Sequence, residues 1–80
     1  MSEADRLFEK QGYDKIDLLD YKHKQKWGEG YKNSKRSQEI LFDFNDKSVC
    51  ANSLLKVESI FLTMQELKAI NKKCEELKWI

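Results

Sequence analysis

Residues 62–80 read LTMQELKAINKKCEELKWI, and this stretch decides how the chain is expected to fold. Thr63 and Glu66 have the spacing of a capping box, in which the hydroxyl accepts from one backbone N–H and the carboxylate from the other. Five apolar side chains then recur three and four positions apart and share one helix face: Met64, Leu67, Ile70, Cys74 and Leu77. The stretch therefore predicts a C-terminal amphipathic helix that packs on an apolar surface.

The opposite end of the chain predicts a second, shorter helix over residues 3–11. Ala4, Leu7 and Phe8 share one face, and Ser2 has the position of an N-cap. Gly12 follows where a glycine commonly ends a helix in the left-handed conformation. A helix of this length is marginal alone, so it is expected to depend on tertiary packing.

Between the helices the period of the pattern changes from helical to alternating. From Tyr13 to Trp27, one set of side chains is expected on one face of a strand and four charged residues on the other. The first set is Leu19, Tyr21, His23, Gln25 and Trp27, and the second is Asp20, Lys22, Lys24 and Lys26. Gly28-Glu29-Gly30 is expected to break this strand, and residues 32–35 have the composition of a loop.

The clearest alternation covers Gln38 to Asn45, with Ile40, Phe42 and Phe44 on one face. Residues 45–48 predict a turn by composition. A third strand is expected to follow it, with Val49 and Ala51 and an extension towards Leu55 and Val57.

These elements predict an α+β fold with a two-layer αβββα layout. Short connections favour antiparallel neighbours, so the strands are expected to form a three-stranded antiparallel meander. A small sheet has one good apolar face, and both terminal helices are expected to pack on it. The other face is expected to be solvated and to carry Lys22, Lys24, Lys26, Glu39, Leu41 and Asp43.

The chain has 80 residues, which indicates a single domain over 1–80. Charged residues make up 36% of it, but the signs nearly cancel to a net charge of +1. No apolar run approaches the ~18 residues that span a bilayer, and the N-terminus lacks the pattern of a signal peptide. A cytoplasmic location without membrane association is therefore expected, with Cys50 and Cys74 as free thiols.

The strongest functional signal is the basic segment 22–36. It holds six basic residues against one acidic residue, a net charge of +5, with Tyr21, Trp27 and Tyr31 interleaved. Cations that neutralise phosphates and aromatic rings that stack on bases are what a single-stranded nucleic acid requires. The candidate nucleic-acid-binding residues are Lys22, Lys24, Lys26, Lys32, Lys35 and Arg36. The alternative, a solvated strand face, is favoured because the whole chain is not basic.

No catalytic or metal-binding constellation emerges from the sequence. His23, Cys50 and Cys74 lack the close spacing of a zinc site, and a Cys–His catalytic pair has no support beyond residue type. Gly28-Glu29-Gly30 lacks the remainder of a phosphate-binding motif. No cofactor and no enzymatic activity are therefore expected.

Three segments resemble small phage- and prophage-encoded proteins of Gram-positive bacteria. They are residues 2–13, SEADRLFEKQGY; residues 40–47, ILFDFNDK; and residues 61–79, FLTMQELKAINKKCEELKW. The resemblance implies a phage-linked accessory protein in the cytoplasm of a bacterial host. It carries no catalytic or binding residues onto this chain.

The expected function is therefore a non-enzymatic protein-interaction module that binds a host or phage protein. A small open sheet has two edges and a small domain gains stability by pairing, so a homodimer formed through an edge or the exposed face is a second expectation. The alternative function is a nucleic-acid-binding module that uses segment 22–36.

Overall fold

The computed structural model describes residues 2–55 and 60–80. Two helices flank a four-stranded antiparallel sheet, so the fold is α+β, with six elements in the order αββββα. The elements are α1 Glu3–Lys10, β1 Asp14–Leu19, β2 Lys26–Asn33, β3 Gln38–Asp43, β4 Ser48–Ser53 and α2 Met64–Glu76. In the part of the chain that the structure describes, each strand pairs only with its neighbours along the chain, in the spatial order β1-β2-β3-β4.

The expected single strand over Tyr13–Trp27 is wrong, because the chain reverses direction between β1 and β2. Asp20 organises the reversal: its carboxylate accepts from the Lys22 N–H at 2.9 Å, and its own N–H donates to the Gln25 carbonyl at 2.9 Å. Lys24 has a φ of 52°, in the left-handed region that turns use. The three-stranded αβββα layout is therefore corrected to a four-stranded meander.

Gly28-Glu29-Gly30 does not break a strand but lies inside β2. A Cβ added to Gly30 would lie 2.8 Å from Leu41 Cδ2 and 3.1 Å from Ile16 Cγ1, so a side chain there would crowd those of the neighbouring strands. The following loop is shorter than expected, because Asn33 still belongs to β2 and its side chain accepts from two turn amides.

The strand predicted from Gln38 is confirmed as β3, and the turn after it as residues 44–47. The strand expected after that turn is β4, in which Val49 pairs with Phe42 and Ala51 with Ile40. β4 ends at Ser53, and the expected extension to Val57 falls outside the described residues.

Both helices pack on one face of the sheet, which forms the core. Phe8 of α1 stacks on Tyr31 of β2 with ring centroids 3.9 Å apart. Ile40 and Phe42 lie on the same face by strand register and are fully buried. Trp79, which follows α2, packs against Phe42. Burial of these rings supplies the main apolar stabilisation of the fold.

The helix ends form as the sequence predicted, but the buried face of α2 differs. Thr63 and Glu66 form the complete capping box, and Gly12 after α1 has a φ of 90°. Met64 is 72% exposed, whereas Glu66 and Lys73 are buried, so the sheet-facing side of α2 carries two charged residues. No helix within the described residues has the length and hydrophobicity that a membrane crossing requires.

Candidate interaction surface

The basic segment 22–36 is divided between the two ends of β2. Lys22 and Lys24 are exposed in the turn before this strand, and Lys35 and Arg36 lie in the turn after it. β2 has eight residues, so the two turns are separated by roughly 23 Å at the rise of an extended strand. The structure therefore does not bring these four cations into one patch.

Two cations of this segment, Lys26 and Arg36, are held by acidic partners. Lys26 Nζ lies 3.0 Å from Asp17 Oδ1 and 2.7 Å from Glu29 Oε2. Arg36 Nε lies 3.1 Å from Glu66 Oε2, and its Nη2 also donates to a backbone carbonyl. Their positive charges are offset locally, which reduces what they offer to a phosphate.

The three aromatic residues interleaved with these cations, Tyr21, Trp27 and Tyr31, have different environments. Tyr21 is fully exposed in the turn between β1 and β2, and Trp27 is half-buried. Tyr31 is in the core against Phe8, and its hydroxyl donates to Asp5 Oδ1 at 2.6 Å. Only Tyr21 is placed as a stacking platform would require.

Beneath the helices lies an ionic cluster centred on Glu29, which the sequence did not predict. Glu29 Oε1 is 2.6 Å from the buried Lys73 Nζ, and its other oxygen accepts from Lys26. Lys15 Nζ lies 3.3 Å from the same carboxylate and 3.2 Å from Asp5. The cluster joins α1, α2, β1 and β2, so its role is to bind the two layers together.

In this cluster, the pKa values of Glu29 and Tyr31 are shifted away from neutral pH. Burial alone would raise the pKa of Glu29, but hydrogen bonds from Lys26 and Lys73 and the charge of Lys15 outweigh it and lower the pKa to about 2. Burial and the hydrogen bond to Asp5 raise the pKa of Tyr31. A general acid or base works best with a pKa near the operating pH, so these groups are poorly suited to proton transfer.

A second polar cluster surrounds Glu66 at the start of α2. Its carboxylate accepts from Tyr13 Oη, from Gln38 Nε2 at 2.8 Å, from the Thr63 N–H at 2.7 Å and from Arg36. Burial and the hydrogen bond to Glu66 raise the pKa of Tyr13 to about 12. Throughout the described residues, every buried side-chain nitrogen or oxygen has a hydrogen-bond partner.

The residues considered for metal binding or nucleophilic chemistry lie on different elements. His23 is exposed in the first turn, Cys50 is exposed on β4, and Cys74 is buried on α2, where burial raises its pKa. Residues 2–55 and 60–80 contain no group of three His, Cys, Asp or Glu side chains arranged to hold a metal ion.

The sheet face away from the helices, termed the open face, has an apolar middle. Strand register aligns three rows across the four strands: Asp14, Lys32, Glu39 and Asn52; Ile16, Gly30, Leu41 and Cys50; Leu18, Gly28, Asp43 and Ser48. Lys32 is thus flanked by two acidic residues. The expectation for this face holds for the three β3 residues. It is wrong for Lys22 and Lys24, which lie in a turn, and for Lys26, which pairs with Asp17 and Glu29 on the helix side.

The two edges of the sheet differ in how they are protected. β1 carries charged side chains at Asp14, Lys15 and Asp17, has a register shift between Leu18 and Leu19, and contacts α1. Charged side chains and an irregular register are devices that prevent a sheet edge from pairing with another chain. β1 is therefore a poor docking edge.

Within residues 2–55 and 60–80, β4 has none of these protections. Its residues, 48–53, read SVCANS, with no charged residue and no proline, and its pairing with β3 is regular. Among residues 2–55 and 60–80, no strand pairs with its outer side, which is termed the free edge. Such a strand is a template for another strand. The absence of charge along residues 48–53 is the sequence signal of this edge.

One hydrogen bond identifies which backbone groups face the free edge. The Leu54 N–H donates to the Ser37 carbonyl at 2.8 Å, so the backbone of Leu54 points towards β3. Antiparallel ladders alternate between hydrogen-bonded and non-hydrogen-bonded pairs, so Asn52, Cys50 and Ser48 also point inward. The N–H and C=O groups of Val49, Ala51 and Ser53 therefore point outward.

Comparison of the chain with protein-family models, with curated proteins and with solved structures gave no match.

Proposed function

We propose that this chain is a protein-interaction module that binds an extended strand along the free edge of β4. The observation that carries the proposal is the contrast between an uncharged, regular β4 and a charged, irregular β1. Strand addition obtains affinity from main-chain hydrogen bonds and specificity from alternate side chains. The outward groups of Val49, Ala51 and Ser53 supply the hydrogen bonds.

The side chains of β4 suit a partner strand whose own side chains are small and uncharged. Val49 and Ala51 lie on the helix side, and Val49 is 38% exposed, so an added strand would cover apolar surface there. A charged residue facing them would lose hydration without an opposite charge on β4 to offset it. The partner segment is therefore expected to be extended and rich in small or β-branched residues.

The resemblance to phage proteins supplies a context for this proposal, a host or phage protein as the partner, in the cytoplasm of a bacterial host. A non-enzymatic role agrees with the two polar clusters around Glu29 and Glu66, whose buried groups have hydrogen-bond partners. The shifted pKa values of Glu29 and Tyr13 lie far from neutral pH. The nucleic-acid alternative has weaker support, because its basic residues are divided between two turns and partly paired with acids.

The test uses a displayed library of short extended peptides selected against the folded chain. Binders are then measured against Ala51→Pro, which removes an outward N–H and leaves the β3 ladder intact, since proline is tolerated on an edge strand. Loss of one or two hydrogen bonds predicts a weakening of about tenfold or more. The expected footprint is amide exchange protection at Val49, Ala51 and Ser53.

The matched control is Lys32→Ala, which changes the open face and leaves the free edge unaltered. It is expected to keep the affinity of every selected peptide, and the circular dichroism spectrum of Ala51→Pro is expected to match that of the wild type. Peptides that bind Ala51→Pro as well as the wild type, or that protect other amides, would refute strand addition at β4.

A further inference from the structure

We propose that the strand which pairs with the free edge is β4 of a second copy of this chain, antiparallel, with the two-fold axis at Ala51. This inference rests on the proposed function and assigns its partner. It follows from which backbone groups point outward, from where β4 ends and from the side chains that the pairing brings together.

The outward backbone groups restrict the registers of a symmetric pair. Only Val49, Ala51 and Ser53 offer an N–H and a C=O to the free edge, so each must face one of these three in the second copy. An axis at Ala51 pairs Ala51 with itself and Val49 with Ser53 in both directions. All three residues are then used, and each pair exchanges two hydrogen bonds.

The neighbouring register, with the axis at Cys50, is less favourable. It pairs Val49 with Ala51 but would place Ser53 opposite Lys47, which has a φ of 52° in the turn before β4. A residue in this left-handed conformation does not continue an extended ladder. The register centred on Ala51 therefore forms more hydrogen bonds within the extended part of the strand.

The side chains of β4 are compatible with their own copies in this register. On the helix side, Ala51 meets Ala51 and Val49 meets Ser53; on the open face, Cys50 meets Asn52. No charged side chain of β4 faces a like charge, because the strand has none.

The pairing extends the existing layers rather than adding a new one. Directly opposed residues of an antiparallel pair project to the same side, so both helix layers lie on one side of a continuous eight-stranded sheet. Leu54, which is 40% exposed, would lie opposite Ser48 of the second copy and lose part of its contact with water. A small domain gains stability from such burial.

The test places a pair of thiols across the proposed axis. Asn52→Cys puts a thiol opposite Cys50 of the second copy in a non-hydrogen-bonded pair, where Cα atoms are about 4.5 Å apart. This separation lies within the range of about 4.4–6.8 Å that a disulfide requires. Oxidation with diamide, which accepts the hydrogens of the two thiols, is expected to give a covalent dimer on a non-reducing gel.

Three controls determine the register and the edge. Adding Cys50→Ser to Asn52→Cys leaves a serine opposite the new thiol, and the covalent dimer is expected to disappear. The wild type is expected to give little covalent dimer, because Cys50 faces Asn52. Ala51→Pro is expected to lower the solution mass, measured by analytical ultracentrifugation over a range of concentrations, to that of a monomer.

Each contrary result overturns a defined part of the inference. Rapid covalent dimerisation of the wild type through Cys50 would move the axis to that residue. A monomeric mass at every concentration, with no covalent dimer of Asn52→Cys, would exclude the second copy as partner. Peptide binding that Ala51→Pro abolishes would then still support the proposed function, so the two failures are distinguishable.

Discussion

At the scale of single residues, Glu66 has two tasks that are usually separate. Its carboxylate completes the capping box with Thr63 and also holds Arg36, Gln38 and Tyr13. A capping residue is ordinarily near solvent, whereas Glu66 is 1% exposed. The same side chain therefore begins α2 and attaches it to the sheet.

Glu66→Ala is expected to cost about 3 kcal/mol or more of unfolding free energy, because it leaves buried polar partners unpaired. Thr63→Ala, which removes only the cap, is expected to cost about 1 kcal/mol. Urea denaturation followed by circular dichroism measures both. The matched control is Glu75→Ala on the exposed side of α2, expected within about 0.5 kcal/mol of wild type. Equal losses for Glu66→Ala and Thr63→Ala would show that the sheet contacts contribute nothing.

The lowered pKa of Glu29 predicts a loss of stability in acid. Its folded-state pKa of about 2 lies below the ordinary value of 4.5, so the stabilisation is complete above the ordinary value and declines as the pH falls towards 2. The urea midpoint is expected to fall over this window. Asp5, whose pKa is lowered by Tyr31 and Lys15 against the opposing effect of burial, adds to the same trend.

The control is the double variant Glu29→Gln with Lys73→Met, which removes both buried charges together. Its urea midpoint is expected to depend less steeply on pH between 4.5 and 2 than that of the wild type. Replacing Glu29 alone would leave Lys73 buried without its partner, a change that typically costs about 3–5 kcal/mol. An unchanged acid dependence in the double variant would contradict the assignment to Glu29.

At the scale of elements, the two glycines of β2 serve the contacts between strands. A Cβ on Gly28 would lie 2.1 Å from the Phe42 carbonyl oxygen, which is backbone and cannot turn aside. A Cβ on Gly30 meets the ends of the Leu41 and Ile16 side chains, which can adjust. The two positions therefore tolerate a side chain to different degrees.

Gly28→Ala is expected to destabilise the fold more than Gly30→Ala, which has the typical cost of overpacking, about 1–3 kcal/mol. Adding Leu41→Ala to Gly30→Ala is expected to recover part of that loss, because it removes the crowded methyl groups. Urea denaturation of the three variants tests the ranking. If the two single variants lose equal stability, the backbone clash at Gly28 is not the deciding contact.

The elements that the sequence predicted well are those whose signals are local. The Thr63–Glu66 spacing identified the start of α2, and alternation from Gln38 identified β3. The expected first strand is too long because alternation continues through the turn after Leu19. The signal of reversal there, an aspartate that can accept from the amide two residues later, was present at Asp20.

The buried charged residues of α2 are not predicted by a pattern of apolar residues. Glu66, Ala69 and Lys73 are spaced three and four positions apart, as buried residues of a helix are, but two of the three are charged. Glu29 lies between two buried glycines, and its partner Lys73 is 44 positions away. Sequence spacing contains no information about such a pair.

At the scale of the whole molecule, the spatial distribution of charge decides what the basic segment can do. The turns that hold Lys22 and Lys24 and then Lys35 are roughly 23 Å apart. This exceeds the Debye length of about 8 Å at physiological salt, so the two groups act on separate phosphates. The basic residues of the segment are close together in the sequence, but the fold separates them in space.

Oligonucleotide binding is therefore expected to be weak. Fluorescence anisotropy with single- and double-stranded probes is expected to show no saturable binding at ~150 mM salt. At low salt, Lys22→Ala with Lys24→Ala is expected to behave much like Lys68→Ala, a change of one exposed cation on α2. Tight binding with a steep salt dependence, lost in the double variant, would instead restore the nucleic-acid alternative.

The meander also determines the order in which this molecule can assemble. Every strand pairs with the next one along the chain, so the sheet can form by successive hairpins that require only short loop closures. The contact between the helices is different, because the Ala4 N–H donates to Glu76 Oε2 across 72 positions. Low contact order favours fast folding, and the contact between the helices closes a far longer loop than any hairpin does, so it carries the larger entropic cost of loop closure. Detachment of the helices would uncover the aromatic face of the sheet, so variants that weaken helix packing are expected to aggregate more readily.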